Sequence, residues 1–559
     1  MKKLYTLILI SLLFPTLQIQ AQTYPFTLPT TVTASLDVTT AIREVANNKL
    51  LGANIGGFTS TDEKNLIRKF NPITVRFPSG VWINWYDWTV DGNRIYDDYV
   101  AKTYKGVPDS TYIKMINSSQ NSRTGFPGLT SLNTERKQAT GKGFDMLWGY
   151  NLNYDDNKKS AARLRDSEAK GFEVNYIEMG NEQFYGNQRS NQTSTTQKYV
   201  AIAKSLSDTL HKIKPSIQMS VPLSWRTESG TYNNIITADT TYFDAVSIHK
   251  YVGSDPDVPA TFTYKDVLAG RLLLEKDVNY ARSLAKTKPV WLTEWGVAAG
   301  SECQAAAALG MADCYLFLFE NQKIYGRADW YCVNGLLNSF VTFVGTSRTI
   351  KYPLEKCGYG SVHEILRSVF ENSTLLQGTI ATTKLTTTIG STNAVSARAV
   401  IKDGKAMVFV VNLTDKAVEF DLKFNGLTYT NSFKHEAFKY NTLSEDRILG
   451  IDVNPLEVIK TGTGVITLPP LSVNKISEIT VAGLETAVKE VKNAPLINAF
   501  PNPSSTGIFK LKEAANWEVY TNLGQKILAK NGTIINLSSY PKGTYLLKIE
   551  NSSVLLIKA

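Results

Sequence analysis

Strand-like and helical segments alternate along the first two thirds of this chain, and this order restricts the possible fold more than any other sequence feature. Strand-like segments start near residues 51, 73, 144, 172, 217, 243, 289 and 329, with helical patterns between them. Eight strands alternating with helices over about 300 residues predict a (β/α)8 TIM barrel in the α/β class. A doubly wound open sheet is the alternative. It usually has fewer strands and a glycine-rich phosphate loop, which this sequence lacks.

The pattern changes after Leu376 to short segments in which apolar and polar residues alternate, as in Val418-Glu419-Phe420-Asp421-Leu422. Such alternation predicts an appended antiparallel β-sandwich. An early alternating segment, Thr31 to Val38, is expected to return and complete this sandwich. The predicted boundaries are 45–375 for the barrel, 22–44 plus 376–482 for the sandwich, 483–495 for a charged linker and 496–559 for a small all-β domain.

The N-terminus has the pattern of an export signal. Lys2 and Lys3 precede an apolar run from Leu7 to Phe14, and the small residue Ala21 follows. A basic start, a short apolar run and a small-residue cleavage site are typical of a secretory signal peptide, here residues 1–21. The run is too short to span a membrane and no later stretch is long and apolar enough, so no transmembrane segment is expected.

Charge and cysteine usage exclude several classes of protein. The net charge is +10, but it is spread along the chain, whereas nucleic-acid binders concentrate it, so no nucleic-acid partner is expected. The four cysteines (Cys303, Cys314, Cys332 and Cys357) allow three pairings. Cys303 and Cys314 could not pair with each other if one helix carried both. No cysteine has a metal-ligand spacing, so neither a metal nor another cofactor is expected.

Two of the predicted barrel strands run directly into a glutamate. The fourth, from Val174, leads to Asn181-Glu182, and the seventh, Pro289 to Glu294, ends in Glu294. In a (β/α)8 barrel the carboxyl ends of the strands face the active site. Glycosidic-bond hydrolysis with retained configuration needs two carboxyl groups about 5–5.5 Å apart, one as proton donor and one as nucleophile. Glu178, which lies deeper in the fourth strand, is interpreted as a paired core carboxylate.

The motifs "NPITVRFPSG" and "YIEMGNEQF" carry a resemblance to a known group of enzymes. This sequence resembles the retaining glycoside hydrolases of clan A, and within them the arabinofuranosidase, xylosidase and heparanase-like groups. The resemblance covers residues 45 to 480, and it implies a barrel followed by a β-sandwich. Those groups usually carry two glycines where this chain has Ser79-Gly80.

The same resemblance implies the roles of individual residues. Glu182 is the implied acid/base, so it must hold a proton near neutral pH, and Glu294 is the implied nucleophile. Asn181 is implied to donate to the 2-hydroxyl group of the sugar. Arg76 either keeps Glu294 charged or forms an ordinary salt bridge.

Ring-bearing residues near the strand ends are the remaining candidates. His249 and Tyr251 stand where related enzymes place a ring that contacts the nucleophile. Trp295 and Trp330 are the implied stacking platforms, because flat aromatic faces suit the apolar faces of sugars. Trp82, Trp85, Trp88 and Trp225 are candidates for outer subsites, although packing is the more frequent role of such rings.

The C-terminal block resembles a type IX secretion sorting domain, which exported Bacteroidetes proteins carry. The motifs are "FPNP" at Phe500, "VYTNLG" at Val519 and "LSSYPKGTY" at Leu537, in the expected order. The resemblance implies type IX secretion machinery as a partner and a location outside the cell or on the outer-membrane surface. A small carbohydrate-binding or immunoglobulin-like module is the alternative.

Three functional hypotheses follow. The favoured one is a secreted retaining glycoside hydrolase that acts on a plant or algal polysaccharide or oligosaccharide. A surface glycan-binding protein on a degenerate barrel is the second hypothesis, and it is disfavoured because both glutamates, Asn181 and Arg76 are present. A transglycosidase would use the same residues. Pentosides, galactosides and sulfated algal glycans stay open as substrates, as do exo and endo action.

Overall fold

The computed structural model describes most of the 559-residue chain. The described residues are 24–55, 61–89, 94–95, 125–226, 229–253, 263–297, 303–333, 339–341, 343–344, 349–350, 353–481, 499–521, 525–549 and 552–558. The predicted signal peptide (1–21), the predicted linker (483–495) and much of the long segment between residues 79 and 141 lie outside this set. In the described part, no helix combines the length and the apolar character that crossing a membrane requires.

Eight parallel strands close into a barrel, which confirms the predicted fold class. In chain order they are Gly52–Asn54, Thr74–Phe77, Asp145–Tyr150, Tyr176–Met179, Gln218–Pro222, Ala245–Val252, Val290–Val297 and Tyr325–Trp330, referred to below as the first to eighth barrel strands. Each pairs with its neighbours in sequence order, and the eighth pairs with the first. The seventh continues three residues beyond its predicted end at Glu294.

Helices connect most of the barrel strands. Their bounds are Thr61–Phe70, Gly125–Thr140, Asn157–Ala169, Thr196–Ile213, Gly230–Thr237, Tyr264–Leu268, Gly270–Ala285, Ala305–Glu320 and Gly358–Phe370, with 3-10 turns at Asn48–Leu51, Gly80–Asn84 and Gly186–Gln188. Several begin where a side chain replaces a missing backbone partner: Asp156 accepts from the Lys159 amide and Thr195 from the Lys198 amide. Helix Ala305–Glu320 is buried along nearly its whole length, because it packs against both the barrel and the adjoining sheet.

A ten-stranded sheet follows the barrel and packs with it in one compact unit. Its order across the sheet is Leu427–Thr428, Val418–Phe424, Ala34–Val45, Thr374–Thr382, Val395–Lys402, Lys405–Asn412, Ser472–Ile479, Phe433–Lys439 and Glu457–Gly462. The tenth strand, Ile466–Leu468, also pairs with Val418–Phe424. The early strand returns to this sheet, as predicted. It pairs antiparallel with Thr374–Thr382 but parallel with Val418–Phe424, so the sheet is mixed and not purely antiparallel.

This unit also contains short pairs of strands: Tyr86–Asp87 with Arg94–Ile95, Phe343–Val344 with Thr349–Ile350, Glu355–Lys356 with Leu449–Gly450, and Lys384–Thr387 with Gly390–Asn393.

A second compact unit contains the C-terminal residues. It is a five-stranded sheet of Ala499–Phe500, Ile508–Thr521, Lys526–Asn536, Gly543–Ile549 and Ser552–Lys558. Its core includes Phe509, Trp517 and Leu547, so it has an apolar cluster of its own.

A buried polar cluster joins the strands where the barrel closes. Thr74 in the second strand donates to Asp329 Oδ1 in the eighth at 3.0 Å, and Arg327 Nε donates to Asp329 Oδ2 at 2.9 Å. Gly52 of the first strand lies against this cluster. A Cβ atom there would lie 2.0 Å from Thr74 Oγ1 and 2.3 Å from Asp329 Oδ1. Only glycine lets the first strand approach the closure this closely.

Gly52→Ala is therefore expected to destabilise the barrel. The methyl group must displace Thr74 or Asp329 from a buried hydrogen bond, so we expect the free energy of unfolding to fall by about 1–3 kcal/mol. Urea unfolding followed by tryptophan fluorescence measures the change. Gly230→Ala is the matched control, because a Cβ at Gly230 meets no atom within 4 Å. An equal effect of both substitutions would contradict this account of the closure.

Candidate active site

Six of the nine predicted site residues meet at the carboxyl ends of the barrel strands. Arg76 comes from the second strand, His249 and Tyr251 from the sixth and Glu294 from the seventh, while Asn181 and Glu182 follow the fourth. Hydrogen bonds between side chains link all six into one network. Parallel strands that end at one rim of the barrel bring distant positions in the sequence together.

Arg76 lies at the centre of this network. Its side chain is fully buried. Its five N–H groups reach five side chains: Nε donates to Glu178 Oε2 (2.6 Å), Nη1 to Asn54 Oδ1 (3.0 Å) and Glu294 Oε2 (2.9 Å), and Nη2 lies 2.8 Å from Asn181 Oδ1 and 3.2 Å from His249 Nε2. Burial by itself lowers the pKa of the guanidinium, but the two carboxylates raise it above its ordinary value. Arg76 is therefore a permanent positive charge between two glutamates.

Glu178 is a buried, paired carboxylate, as predicted. It accepts from Arg76 Nε and, through Oε1, from Thr293 Oγ1 at 2.7 Å, and its side chain is fully buried. Burial raises the pKa of this carboxyl, but the Arg76 charge together with His249 and Thr293 outweighs burial and lowers the pKa to about 2. Glu178 is thus ionised at neutral pH. It also lies 3.5 Å from His249 Nε2.

Glu294 has a hydrogen-bond donor on each carboxylate oxygen. Arg76 Nη1 donates to Oε2 at 2.9 Å and the Tyr251 hydroxyl donates to Oε1 at 2.8 Å. Burial and the Glu294 charge raise the pKa of the Tyr251 hydroxyl well above its ordinary value, so this group stays a donor. The Glu294 side chain is 11% exposed. Two fixed donors and a small opening suit a carboxylate that reacts as an anion.

Glu182 has different surroundings. Gln188 Nε2 donates to its Oε2 at 2.8 Å, and His249 Nδ1 lies 3.1 Å from its Oε1. Its side chain is 21% exposed, about twice as much as that of Glu294. The backbone at Glu182 has φ 41°, a left-handed conformation that costs a non-glycine residue about 1–2 kcal/mol. Strain of this kind is concentrated at functional sites.

Two residues that the sequence analysis missed hold Asn181 and Glu182 in place. Asn84 accepts from the Asn181 amide at 2.9 Å, and its Nδ2 donates to the Asn181 carbonyl (2.7 Å) and to Gln188 Oε1 (2.8 Å). Asn181 Nδ2 also donates to Gln188 Oε1, at 3.0 Å. With two donors on its oxygen, Gln188 must turn its Nε2 toward Glu182. Both residues lie in loop-like sequence without periodicity, so no local signal marks them.

Glu182, His249 and Glu294 each offer a possible metal-ligand atom, and the three atoms lie within 4.8 Å of one another. The same distance brings a Glu182 oxygen within 4.8 Å of a Glu294 oxygen. Arg76 contacts two members of this group, at 2.9 Å from Glu294 and 3.2 Å from His249. Its charge would repel a cation at that position. The donor set therefore fits a bound metal poorly and fits a pair of reacting carboxyl groups well.

The tryptophan predictions need correction. Trp295 and Trp330 are fully buried and pack edge to face with ring centroids 4.7 Å apart. Trp85 is fully buried as well. A buried ring has no free face for a sugar, so these three are core residues. The barrel wall and helix Ala305–Glu320 enclose the first two, because Tyr315 of that helix packs against both rings.

The other predicted rings are partly exposed. Trp225, Trp82 and Trp88 are half-buried, and Lys250 Nζ lies 3.5 Å from the centre of the Trp225 ring. The sequence analysis overlooked a half-buried ring next to the nucleophile, that of Tyr331. Its centroid lies 6.1 Å from that of Tyr251, and its hydroxyl lies 3.7 Å from the position of a Cβ at Gly80. Its position directly after the eighth strand was the available signal.

Comparisons with known proteins bear on both units. Residues 498–558 match the family model of the secretion system C-terminal sorting domain. This match confirms the predicted sorting domain and indicates type IX secretion to the cell surface or beyond it. A comparison with curated protein sequences finds no match to the chain.

Solved structures share the fold of the larger unit. The GH51 arabinofuranosidase from Xanthomonas axonopodis pv. citri aligns with a TM-score of 0.60 at 14% identity, covering 80% of this chain and 99% of that one. The α-L-arabinofuranosidase from Thermotoga maritima, an arabinose complex, gives 0.56 at 14% identity, with 80% and 99% coverage. The family 44 xyloglucanase from Paenibacillus polymyxa gives 0.54 at 12%, with 80% and 100%. The chain therefore shares its fold with these glycoside hydrolases.

Glu178 is expected to make the stability of the protein depend on pH on the acid side. Its pKa is about 2 when folded and 4.5 ordinarily, so its contribution is complete above about pH 4.5 and is lost as the pH falls toward 2. The advantage of the wild type over Glu178→Gln in free energy of unfolding should therefore shrink by about 3 kcal/mol between about pH 5 and pH 2. Urea unfolding at a series of pH values measures this difference.

Glu419→Gln is the control, because Glu419 is an exposed carboxylate of the ten-stranded sheet. Its difference from the wild type should stay nearly constant over the same pH range. A constant difference for Glu178→Gln as well would contradict the proposed ion pair.

Proposed function

We propose that this protein is a secreted glycoside hydrolase that cleaves glycosidic bonds with retention of anomeric configuration. The observation that carries the proposal is the Glu182–Glu294 pair, whose nearest oxygens lie within 4.8 Å at the carboxyl ends of the barrel strands. A close pair of carboxyl groups suits a two-step displacement. Inverting enzymes hold the two groups about 6.5–9.5 Å apart to leave room for water.

Glu294 is the proposed nucleophile. Arg76 and Tyr251 each donate to one of its oxygens, which keeps the carboxylate charged and fixes its orientation. Attack on the anomeric carbon forms a covalent glycosyl–enzyme intermediate. As the new bond forms, the negative charge on the carboxylate falls, so the hydrogen bonds from Arg76 and Tyr251 become weaker while both donors stay in place.

Glu182 is the proposed acid/base. It protonates the leaving oxygen in the first step and removes a proton from water in the second. Its greater exposure suits contact with a leaving group and then with water. Gln188 and His249 orient its two oxygens. Asn181 Nδ2 gives one N–H to Gln188 Oε1, and its second N–H is the proposed donor to a sugar 2-hydroxyl group.

A plant or algal polysaccharide, or an oligosaccharide derived from one, is the proposed substrate. The support is the fold shared with proteins named arabinofuranosidase and xyloglucanase, and a sorting domain that indicates delivery outside the cell, where such polymers are found. Half-buried rings at Trp225, Trp82 and Trp88 are the proposed outer sugar contacts, because aromatic faces stack on pyranosides.

Replacing either glutamate tests the assignment of roles. Glu294→Gln should lower kcat by about 10⁴-fold or more, because no covalent intermediate can form. Glu182→Gln should lower kcat by about 10²–10⁴-fold on natural linkages and much less on aryl glycosides, whose leaving groups need little protonation. Initial rates on polysaccharides and on a panel of nitrophenyl glycosides measure both effects.

Glu419→Gln is again the matched control and should keep wild-type kinetics. If Glu294→Gln retained full activity, the proposed nucleophile would be wrong. If the wild-type protein bound glycans but cleaved none of the panel, a surface glycan-binding role would replace the proposed activity.

The configuration of the first-formed product tests the mechanism separately. A two-step displacement predicts that the sugar released has the same anomeric configuration as the substrate. Proton NMR during the first minutes of the reaction distinguishes the two anomers before they equilibrate. Inverted product would exclude the two-step mechanism, and transfer of the sugar to another glycan in place of water would identify a transglycosidase.

A further inference from the structure

His249 lies between two carboxylates that have different surroundings. Its Nδ1 is 3.1 Å from Glu182 Oε1, and its Nε2 is 3.5 Å from Glu178 Oε1. The ring is 5% exposed. The two-step displacement uses Glu182 but gives no part to Glu178, which lies on the opposite side of the ring. A buried acid–imidazole–acid arrangement is the geometry of a proton carrier with a counter-ion.

We propose that Glu178, His249 and Glu182 form a proton relay, in which His249 holds the catalytic proton between turnovers and Glu178 is the counter-ion that keeps it there. This inference rests on the proposed glycosidase function and deepens it. His249 is the residue that exchanges the proton with the acid/base. Glu178 is a positioning residue, since it acts only through His249 and Arg76.

The charges around His249 support a resident proton. Among the residues that the structure describes, the charged groups that face it are Arg76 from the second strand, Glu178 and Glu182 from the fourth strand and its loop, and Glu294, whose Oε2 lies 3.8 Å from Nδ1. Tyr251, from the same strand as His249, donates to Glu294. Three carboxylates against one guanidinium leave an excess negative charge in a mostly buried cluster. Such an excess is costly and favours uptake of a proton.

The hydrogen bonds of Arg76 indicate which group in the cluster holds that proton. Arg76 donates to both Glu178 and Glu294, which leaves the charge of these two carboxylates already paired, and the pKa of Glu178 is lowered to about 2. The proton therefore belongs to the pair of Glu182 and His249. Burial lowers the pKa of the His249 ring, but the Glu294, Glu178 and Glu182 carboxylates outweigh burial and the opposing Arg76 charge, raising the pKa to about 9. This direction agrees with a proton on the imidazole in the resting protein.

The Nε2 side of the ring keeps the same partner in both charge states. When the ring is cationic, Nε2–H faces Glu178 Oε1. When the ring is neutral after the Nδ1 proton has left, Nε2 keeps its hydrogen and still faces Glu178 Oε1. In both states Nδ1 faces Glu182 Oε1, so a proton can pass across that hydrogen bond without rotation of the ring. Glu178 and Arg76 are already in place and need no reorganisation.

The relay returns to its starting protonation state after one catalytic cycle. The Nδ1–H proton of His249 moves to Glu182, and Glu182 gives it to the glycosidic oxygen as the bond to the anomeric carbon breaks. In the second step Glu182 takes a proton from the attacking water and returns it to Nδ1. The ring is cationic before and after the cycle and neutral while the glycosyl–enzyme exists.

Glu178→Gln tests the relay, because it keeps the shape of the side chain and removes its charge. Loss of that charge should weaken the hold on the proton and shift the alkaline limb of the kcat/KM–pH profile downward by about one pH unit or more. The loss of rate at neutral pH should be larger for alkyl glycosides than for dinitrophenyl glycosides, since only the former need a strong acid. A purely structural role would lower the rate equally for both and leave the limb in place.

Thr293→Val is the matched control. It removes the other donor to Glu178, Thr293 Oγ1, but leaves the charge on the carboxylate. We expect its alkaline limb to stay within about 0.3 pH units of the wild-type value, far less than the shift from loss of a whole charge. An unshifted limb in Glu178→Gln, or an equal shift in Thr293→Val, would overturn the relay.

NMR of histidine-labelled protein tests the relay without turnover, because the chain has only four histidines and His249→Gln identifies the signal. The His249 ring should titrate above about pH 8 in the wild type and at least about one unit lower in Glu178→Gln. If the protein cleaved no glycoside but showed this titration, the proposed function would fail while the proton pair stood. Retaining hydrolysis with a His249 ring that titrates near its ordinary value would overturn the relay alone.

Discussion

The structure of the candidate site depends on one buried guanidinium. Arg76 donates to side chains from the first and seventh strands and from the fourth strand and its loop, and its Nη2 also lies 3.2 Å from His249 of the sixth strand. A buried cation needs partners for its charge as well as its hydrogen bonds, and here Glu178 and Glu294 supply both. Removal of Arg76 would leave Glu178 and Glu294 without the positive charge that they share. The positions of the neighbouring side chains are therefore coupled through one residue.

Glu294 and Glu182 have the same chemistry, but their surroundings near this cation differ. Glu294 contacts Arg76 directly and receives a second donor from Tyr251, so the orientation of its carboxylate is fixed. In the described part of the chain, Glu182 contacts no permanent charge. Its neighbours are an amide held by Asn84 and Asn181, and an imidazole that can give or take a proton. Different surroundings for two nearby carboxyl groups suit the different roles that the proposed two-step displacement gives them.

The sequence predicted the elements of the site better than their surroundings. Alternation of strands and helices placed Arg76, Glu182 and Glu294 at one rim, because side chains at the carboxyl ends of parallel strands meet there. The same reasoning failed for Trp295 and Trp330, which also lie in strands that reach this rim but are enclosed by helix Ala305–Glu320. Strand position does not tell which rings a neighbouring helix will cover.

By itself, the sequence determined the eight-stranded barrel, the return of the N-terminal strand to the C-terminal sheet, the six polar residues that meet at the barrel rim and the sorting domain. These follow from local periodicity and short motifs, which act over a few residues. Only the tertiary structure decided the parallel pairing of Ala34–Val45 with Val418–Phe424, the burial of the tryptophans and the roles of Asn84 and Gln188. These depend on contacts such as the one between Arg76 and Glu294, 218 residues apart, and no local pattern encodes which side chains meet once the barrel has closed.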